Sequence, residues 1–447
     1  MNPEAPHILL VNPWIHDFAA YDVWAKPLGL LTLGAILREH GCRVSYIDCL
    51  DRFHPKADRS DPKARCGRGP YRKTPIAKPV GMEDVPRTFS RYGIKTSWFR
   101  DGLRSLPPPD LVFVTSIMTY WWPGVRETID VIRSEYPAVP VILGGIYATL
   151  CTPHAIRFSG ADEVVSGPGE KAILQIVERR TGFRATPGFI PEDLNTYPCP
   201  AFDLQRRIGY IPIQTSRGCP FSCDYCASSK LNPIRMNRSP DSVVEEIRHW
   251  YSRFHVRDFT FYDDALLIDS RHYAEPLLQK VIESGMKVRF HTPNALHIRE
   301  ITPSIARLMK CAGFHTIRLG LETAVFDQGS RRDRKVTETE FQRSARSLRT
   351  AGFNAGQIGA YLLVGLPGQS YASVAESIRI VKDAGIRPIP AYYTPIPHTP
   401  LWSEAVKSSR YDLEADPVYT NNAIFPCQKE PFSWEFISNL KQLIDSP

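Results

Sequence analysis

Three of the ten cysteines in this 447-residue sequence lie within eight positions, in the stretch RGCPFSCDYC. Cys219, Cys223 and Cys226 have the spacing C-x3-C-x2-C, which brings three thiols onto one short segment. Closely spaced thiolates are typical of zinc sites and of iron–sulfur clusters. The three cysteines therefore predict a metal centre.

The choice between these two centres depends on a fourth ligand. A structural zinc site needs four, yet no second CxxC or HxxxH pair follows Cys226, and the next histidine, His249, lies in a predicted helix. A catalytic zinc ion on three cysteines with an open position is an alternative. A four-iron cluster bound by three thiolates leaves one iron without a protein ligand. The spacing therefore favours an iron–sulfur cluster with an open iron.

Composition limits the kind of protein that holds this centre. The chain has 43% hydrophobic and 23% charged residues, which is typical of a globular protein of two or three domains. We find no apolar run long enough to span a membrane and no signal peptide, and we expect a cytoplasmic protein. The remaining cysteines are expected to be reduced thiols without disulfides; they are Cys42, Cys49, Cys66, Cys151, Cys199, Cys311 and Cys427.

The first 181 residues alternate short apolar runs with amphipathic segments. Runs such as 7–12, 42–49 and 110–116 are mostly apolar and read as buried strands, with helices expected between them. This alternation predicts a doubly wound, Rossmann-like α/β domain with a parallel sheet. The basic segment 51–105 interrupts it; we expect a solvated loop, or alternatively a basic lid over an anionic ligand.

A second alternating series follows a Pro-rich, aperiodic segment, 182–206, which we interpret as a linker. Six strand–helix units over 207–402 predict a partial (β/α)6, TIM-like barrel with its chemistry on the loops after the strands. The three cysteines come directly after the first of these strands. Residues 403–447 form a C-terminal extension without a readable motif.

The cysteine motif in this position resembles that of the radical S-adenosylmethionine (SAM) superfamily. The resemblance covers about residues 205–405 and implies a [4Fe–4S] cluster whose open iron binds SAM, with one electron cleaving SAM to a 5′-deoxyadenosyl radical. It further implies a redox partner such as flavodoxin or ferredoxin. By the same resemblance, SAM is contacted by Tyr225 near adenine, Asp263 and Asp264 near methionine, Glu322 at the ribose and Gly365 near adenine.

Each of these SAM assignments has a structural alternative. Tyr225 could simply cover the cluster, Asp263 and Asp264 could cap a turn, and Gly365 could only shape one. Glu322 could pair with Arg318 or Arg289 at the rim of the barrel. The sequence leaves both readings open.

A doubly wound domain before such a barrel resembles the cobalamin-binding radical SAM enzymes. The resemblance implies cobalamin at the loops that follow the strands, near Thr115, Ser116, Gly144, Gly145, Thr149 and Gly167. The DxHxxG sequence that supplies a histidine to cobalt is absent, so cobalt is expected without it; His16 is more simply a solvated loop residue. Loss of cobalamin altogether is the alternative.

The implied function is methylation of an unactivated carbon in a small molecule. SAM would supply both the methyl group, through cobalamin, and the radical that takes hydrogen from the substrate. Cyclisation or rearrangement without net methylation is one alternative. An RNA-modifying enzyme is another, but the segments that carry a second cysteine trio and an RNA-binding β-barrel in the tRNA methylthiotransferases are absent, which argues against a nucleic-acid partner.

Overall fold

A computed structural model of the chain describes residues 5–57, 65–326 and 336–445. They divide into two compact units, 1–209 with 413–421, and 210–412 with 422–447. The α-helices are Leu28–Glu39, Thr96–Arg104, Trp122–Glu135, Ile146–Leu150, Thr152–Phe158, Ile173–Thr181, Ser228–Leu231, Pro240–Phe254, Glu275–Glu283, Pro303–Ala312, Glu338–Thr350, Tyr371–Asp383, Trp402–Ser408 and Trp434–Asp445. No helix among the described residues is both long and apolar enough to cross a membrane.

The first unit is built on a parallel sheet. Its strands are β1 (His7–Asn12), β2 (Arg43–Asp48), β3 (Leu111–Val114), β4 (Val141–Leu143) and β5 (Glu163–Val164). They lie in the order β5-β4-β3-β1-β2, so the chain changes direction across the sheet between β1 and β3. Ile8 and Leu10 of β1 are fully buried between covering helices. The predicted doubly wound fold is confirmed, and such a switch point is where ligands bind in these sheets.

Most of the basic segment is folded, in contrast to the expected solvated loop. Ser90–Tyr92 pairs antiparallel with Ile15–Asp17 and with Lys73–Pro75. The helix Thr96–Arg104 buries Phe99 and Leu103. These long-range pairings stabilise elements that show no local periodicity. Residues 58–64 of the segment lie outside the described residues.

The segment 182–206 is part of the first unit and not a free linker. Phe189 and Phe202 are buried, and the Ala201 N–H donates to the Leu31 carbonyl at 2.9 Å.

The predicted C-terminal extension, 403–447, is divided between the two units. Its residues 413–421 belong to the first unit, where the Asn421 amide donates to Asp17 Oδ1 at 2.9 Å.

The second unit is the predicted barrel. Its strands are β6 (Ile211–Ile213), β7 (Asp258–Phe261), β8 (Arg289–His291), β9 (Phe314–Glu322), β10 (Ile358–Val364) and β11 (Arg387–Tyr392). Neighbours in sequence are parallel neighbours in space, with a helix in each connection from β6 to β11. The (β/α)6 prediction is confirmed. The carboxyl ends of all six strands therefore share one edge, where the loops lie close together.

Side-chain caps fix where the covering helices begin. Ser239 Oγ accepts from the Ser242 N–H at the start of Pro240–Phe254, as its position before Pro240 predicts. Thr302 caps the helix Pro303–Ala312 in the same way, and Gly313 ends that helix with φ +96°.

Candidate functional site

A two-stranded pair closes the cysteine loop. Ser216–Arg217 pairs antiparallel with Met236–Asn237, so the chain leaves β6, runs through the three cysteines and returns beside its starting point. Gly218 follows the first of these two strands and has φ +88°. A Cβ there would lie 3.1 Å from the Ile234 carbonyl oxygen. Only glycine fits this close approach without strain. The turn that presents Cys219 therefore depends on Gly218.

Cys219, Cys223 and Cys226 are free thiols, as are the other seven cysteines. Cys223 is buried, whereas Cys219 and Cys226 are half-buried. The Cys226 sulfur accepts a hydrogen bond from the Ser228 N–H at 3.4 Å. A loop with two partly exposed thiols can accept an inserted cluster and still leave one face open.

The spacing of the sulfurs distinguishes a single ion from a cluster. Two thiolates on one zinc ion, each about 2.3 Å from the metal, stand at most about 4.6 Å apart. Within the described part of the second unit, no three Cys, His, Asp or Glu ligand atoms all lie within 4.8 Å of one another. The three sulfurs therefore do not form a compact single-ion site in this structure. On a four-iron cluster, three thiolates would each bind their own iron and leave the fourth iron open.

Asp264 ties this loop to β7. Its carboxylate accepts from the Gly218 N–H at 3.0 Å, from the Ser228 hydroxyl at 3.2 Å and from the Asn232 amide at 3.4 Å. These donors lie on both sides of the cysteines along the chain. Asp264 therefore positions the loop, a role that the predicted contact with methionine did not include.

Asp263 is an internal anchor as well. It is 2% exposed and accepts from the N–H and hydroxyl groups of Thr215 and Ser216 at 2.5–3.1 Å. Burial raises the pKa of this carboxyl, and the four hydrogen bonds oppose that shift. The four donors fix the path of the chain from β6 into the cysteine loop. Its contact with SAM stays a prediction.

Glu322 lies at a break in the sheet. The pairing of β9 with β10 shifts register between Gly320 and Glu322, and Glu322 has φ +64°, rare for a residue with a side chain. A bulge of this kind turns a side chain away from its regular direction. Strained backbone at the carboxyl end of a barrel strand is consistent with a binding role, and the predicted ribose contact remains a prediction.

Gly365 begins a tight turn after β10. Its φ is +88°, and its N–H donates to the Gln369 side chain at 2.8 Å. A Cβ at Gly365 would lie 2.9 Å from Phe425, so the C-terminal segment packs directly on this turn. A cavity of about 240 Å³ opens beside it, between Gly365, Tyr371 and Cys427. The turn thus borders space for a ligand at the barrel edge.

The loop after β11 also contacts the cysteine loop. The Leu401 N–H donates to the Asp224 carbonyl at 2.9 Å. Tyr225 follows Asp224 and is half-buried between Cys223 and Cys226. This contact brings the loop after β11 beside the cysteines. The contact of the Tyr225 ring with adenine stays a prediction.

In the first unit, the predicted loop residues divide into two kinds. Ser116 and Gly145 are structural: the Ser116 hydroxyl donates to the Gly144 carbonyl at 2.7 Å, and a Cβ at Gly145 would lie 2.2 Å from the Ser116 carbonyl oxygen. By contrast, a Cβ at Gly144 or at Gly167 would meet no atom within 4 Å. These two glycines expose backbone to open space.

Thr149 links the loops that carry the two open glycines. Its hydroxyl donates to the Gly145 carbonyl at 2.8 Å and accepts from the Gly167 N–H at 2.9 Å. Thr115 closes the other side through its N–H, which donates to the Val11 carbonyl at 3.2 Å. The ends of β1, β3, β4 and β5 are thereby joined into one cradle lined by backbone. Its open surface fits a large ligand bound through backbone contacts.

His16 is buried, in contrast to the solvated loop residue expected from the sequence. It lies in the strand Ile15–Asp17, is 8% exposed, and its Nε2 is 2.7 Å from Glu127 Oε2. Arg91 pairs with the same carboxylate. The imidazole is held in an internal ion-pair network, so it is a poor candidate for a cobalt ligand.

His297 was missed by sequence reasoning. Its Nε2 is 3.9 Å from Cys219 Sγ, and its ring lies 4.5 Å from that of Phe221. It follows β8, seventy-eight residues beyond Cys219, with no motif around it. Its position on a loop after a barrel strand was the one signal available.

Comparison with known families identifies the second unit. The family described as the Radical SAM superfamily matches residues 213–381, from the end of β6 into the helix Tyr371–Asp383. This match spans the cysteine loop and β7 to β10. The second unit is a radical SAM domain. The predicted radical SAM enzyme is confirmed, and with it the [4Fe–4S] cluster, SAM and the need for a reductant that define such domains.

Similarity to curated proteins extends beyond the radical SAM domain. An uncharacterized methyltransferase of Pyrococcus horikoshii is 22% identical over 67% of this chain and 70% of its own length. An anaerobic magnesium-protoporphyrin IX monomethyl ester cyclase of Rubrivivax gelatinosus is 24% identical over 66% of this chain. The chain spans 58% of the length of that cyclase.

A solved structure shares the fold of both units. The radical SAM methyltransferase TsrM of Kitasatospora setae superimposes with a TM-score of 0.66 and 18% identity, covering 90% of this chain and 76% of TsrM. The match confirms the predicted succession of a doubly wound domain and a radical SAM barrel.

Proposed function

We propose that this protein is a cobalamin-dependent radical SAM methyltransferase that methylates an unactivated carbon of a small molecule. The observation that carries the proposal is the cysteine loop, whose three thiols follow the first barrel strand at the carboxyl edge of the barrel, inside the stretch that matches the Radical SAM superfamily. The methyltransferase names of the Pyrococcus relative and of TsrM support methyl transfer.

When bound, the cluster and SAM supply a carbon-centred radical and cobalamin supplies a methyl group. The residues of the chain hold and orient these groups. Cys219, Cys223 and Cys226 bind the cluster, and Asp264 keeps their loop against β7. Glu322 would accept hydrogen bonds from the ribose hydroxyls of SAM, and the bulge in β9 at this residue supports that role. Together these contacts fix the reacting atoms at one edge of the barrel.

The backbone cradle of the first unit is the proposed cobalamin site. Gly144 and Gly167 leave space that any larger residue would fill, and Thr149 holds their loops together. Since the Nε2 of His16 is paired with Glu127, cobalt would have no histidine ligand from that position. The structure of TsrM with cobalamin and a [4Fe–4S] cluster bound supports cobalamin as a cofactor of this fold.

Cyclisation without net methylation is the second candidate. The Rubrivivax cyclase is as similar to this chain as the Pyrococcus methyltransferase is, which favours this alternative. We further propose a flavodoxin or ferredoxin as the electron donor and a cytoplasmic location, since free thiols and an iron–sulfur cluster need a reducing compartment.

Product analysis separates these candidates. The reconstituted protein is incubated with SAM carrying a deuterated methyl group, cobalamin and a strong reductant, in the absence of oxygen. Formation of both 5′-deoxyadenosine and S-adenosylhomocysteine supports methyl transfer. 5′-Deoxyadenosine alone favours cyclisation or rearrangement. Absence of both products contradicts radical SAM methyl transfer.

A further inference from the structure

The histidine nearest to the cysteine loop has a defined environment. His297 is 7% exposed and precedes the short 3-10 helix Ile298–Glu300 that follows β8. Its ring packs against Phe221, a residue of the cysteine loop itself. The imidazole is therefore held on the same side of the barrel edge as the cluster ligands, and its direction is fixed by packing.

The Nε2 atom of His297 is 3.9 Å from Cys219 Sγ, within the range of a hydrogen bond to sulfur. The three ligand sulfurs are not equivalent in this respect. Cys226 bonds within its own loop, to the backbone N–H of Ser228 at 3.4 Å and to the Ser228 hydroxyl at 3.3 Å. Cys219 is contacted by a side-chain donor from a different strand connection. A substitution at His297 therefore leaves these two contacts of Cys226 in place.

Hydrogen bonds to ligand sulfurs set the reduction potential of iron–sulfur clusters. The cluster gains one negative charge when it is reduced, and an N–H directed at a thiolate stabilises that charge more in the reduced state than in the oxidised state. The reduced form is then favoured. The effect matters here because SAM is cleaved only after an electron has entered the cluster.

We propose that His297 is a positioning residue that donates its Nε2–H to the Cys219 thiolate and raises the reduction potential of the cluster. The proposal rests on the cluster assignment and is independent of methyl transfer. A loop histidine outside the cysteine motif thereby helps to control how readily the cluster accepts an electron.

The test is a redox titration of the reconstituted protein without SAM, followed by the electron paramagnetic resonance signal of the reduced cluster. His297→Phe keeps a ring against Phe221 but removes the donor, and His297→Gln keeps an N–H. We expect the ratio of reduced to oxidised cluster at a fixed potential to fall about 3–10-fold in His297→Phe, the value of one hydrogen bond. His297→Gln should recover most of it. His272→Gln, with an exposed histidine, is the matched control and should match wild type.

Two results would overturn the proposal. An unchanged ratio in His297→Phe, with a full complement of iron, would show that the imidazole does not act on the cluster. Loss of the cluster in both variants would show that His297 belongs to the ligand set or to the fold. Because no SAM is present, neither result depends on whether the enzyme transfers a methyl group.

Discussion

The carboxylate of Asp264 accepts a hydrogen bond from the backbone N–H of Gly218 at 3.0 Å, which joins the end of β7 to the residue before Cys219. The same carboxylate reaches Ser228 beyond the last cysteine. One side chain therefore holds both ends of the cysteine loop, and the loop is ordered by a neighbouring strand as well as by its own sequence.

Removing this anchor should loosen the cluster. Asp264→Ala leaves the donors without their acceptor, at a cost of about 1–3 kcal/mol, and we expect less iron and sulfide per chain and faster loss of iron to a chelator. Asp264→Asn, which keeps one acceptor oxygen, should be intermediate. Asp241→Ala, in an exposed first turn of a helix, is the control. Wild-type iron retention in Asp264→Ala would contradict this role.

Filling the open cradle should remove cobalamin without unfolding the protein. Leucine at Gly144 would occupy space where no atom lies within 4 Å, so Gly144→Leu should keep wild-type thermal stability and a full cluster but bind little corrinoid. Gly29→Leu is the control, since a Cβ at this exposed position in the first turn of Leu28–Glu39 also meets no atom. Normal corrinoid binding by Gly144→Leu would place cobalamin elsewhere.

Glu322 should determine SAM affinity. If its carboxylate accepts from the ribose hydroxyls, Glu322→Gln loses a charge-assisted hydrogen bond, and the dissociation constant for SAM should rise about 10–100-fold. Equilibrium binding to the reconstituted protein measures this. The exposed Glu338, at the start of a helix, provides the control Glu338→Gln. Equal affinities would leave Glu322 with a structural role at the bulge.

The ion-pair network around Glu127 should make the stability of the first unit depend on pH. Burial raises the pKa of this carboxyl, but the hydrogen bond from His16 and the charge of Arg91 outweigh it, and the pKa lies below its ordinary value of 4.5. The stability that Glu127 contributes is therefore complete above pH 4.5 and is lost as the pH falls through the lower, folded-state pKa.

Chemical unfolding between neutral and acid pH tests this sign. Glu127→Gln should be less stable than wild type at neutral pH, and the difference should shrink as the pH falls below 4.5. Glu178→Gln, at an exposed helix end, should show no such convergence. A difference that stays constant across the range would exclude Glu127 as the titrating group.

The sequence predicted what depends on local pattern. Apolar runs gave β1 at its observed bounds, and Ser239 before Pro240 gave the start of a helix, because burial and capping are decided within a few residues. The spacing of the three cysteines is also a local pattern, and its resemblance to the radical SAM motif led to the correct superfamily.

Long-range packing could not be read from the sequence. Asn421 bonds to Asp17 across 404 positions, and Phe189 fills the core of the first unit from a segment with no periodicity. The positioning role of Asp264 and the approach of His297 to Cys219 likewise depend on the parallel order of the barrel strands, which brings distant loops to one edge.

The central claim is that three cysteines hold a cluster with one iron left for SAM. Mössbauer spectra of protein reconstituted with isotopically enriched iron, recorded before and after SAM is added, test it most directly. We predict a four-iron cluster in which one iron changes its spectrum on addition of SAM while the other three do not. A single bound ion, or a four-iron cluster that SAM leaves unchanged, would contradict the account.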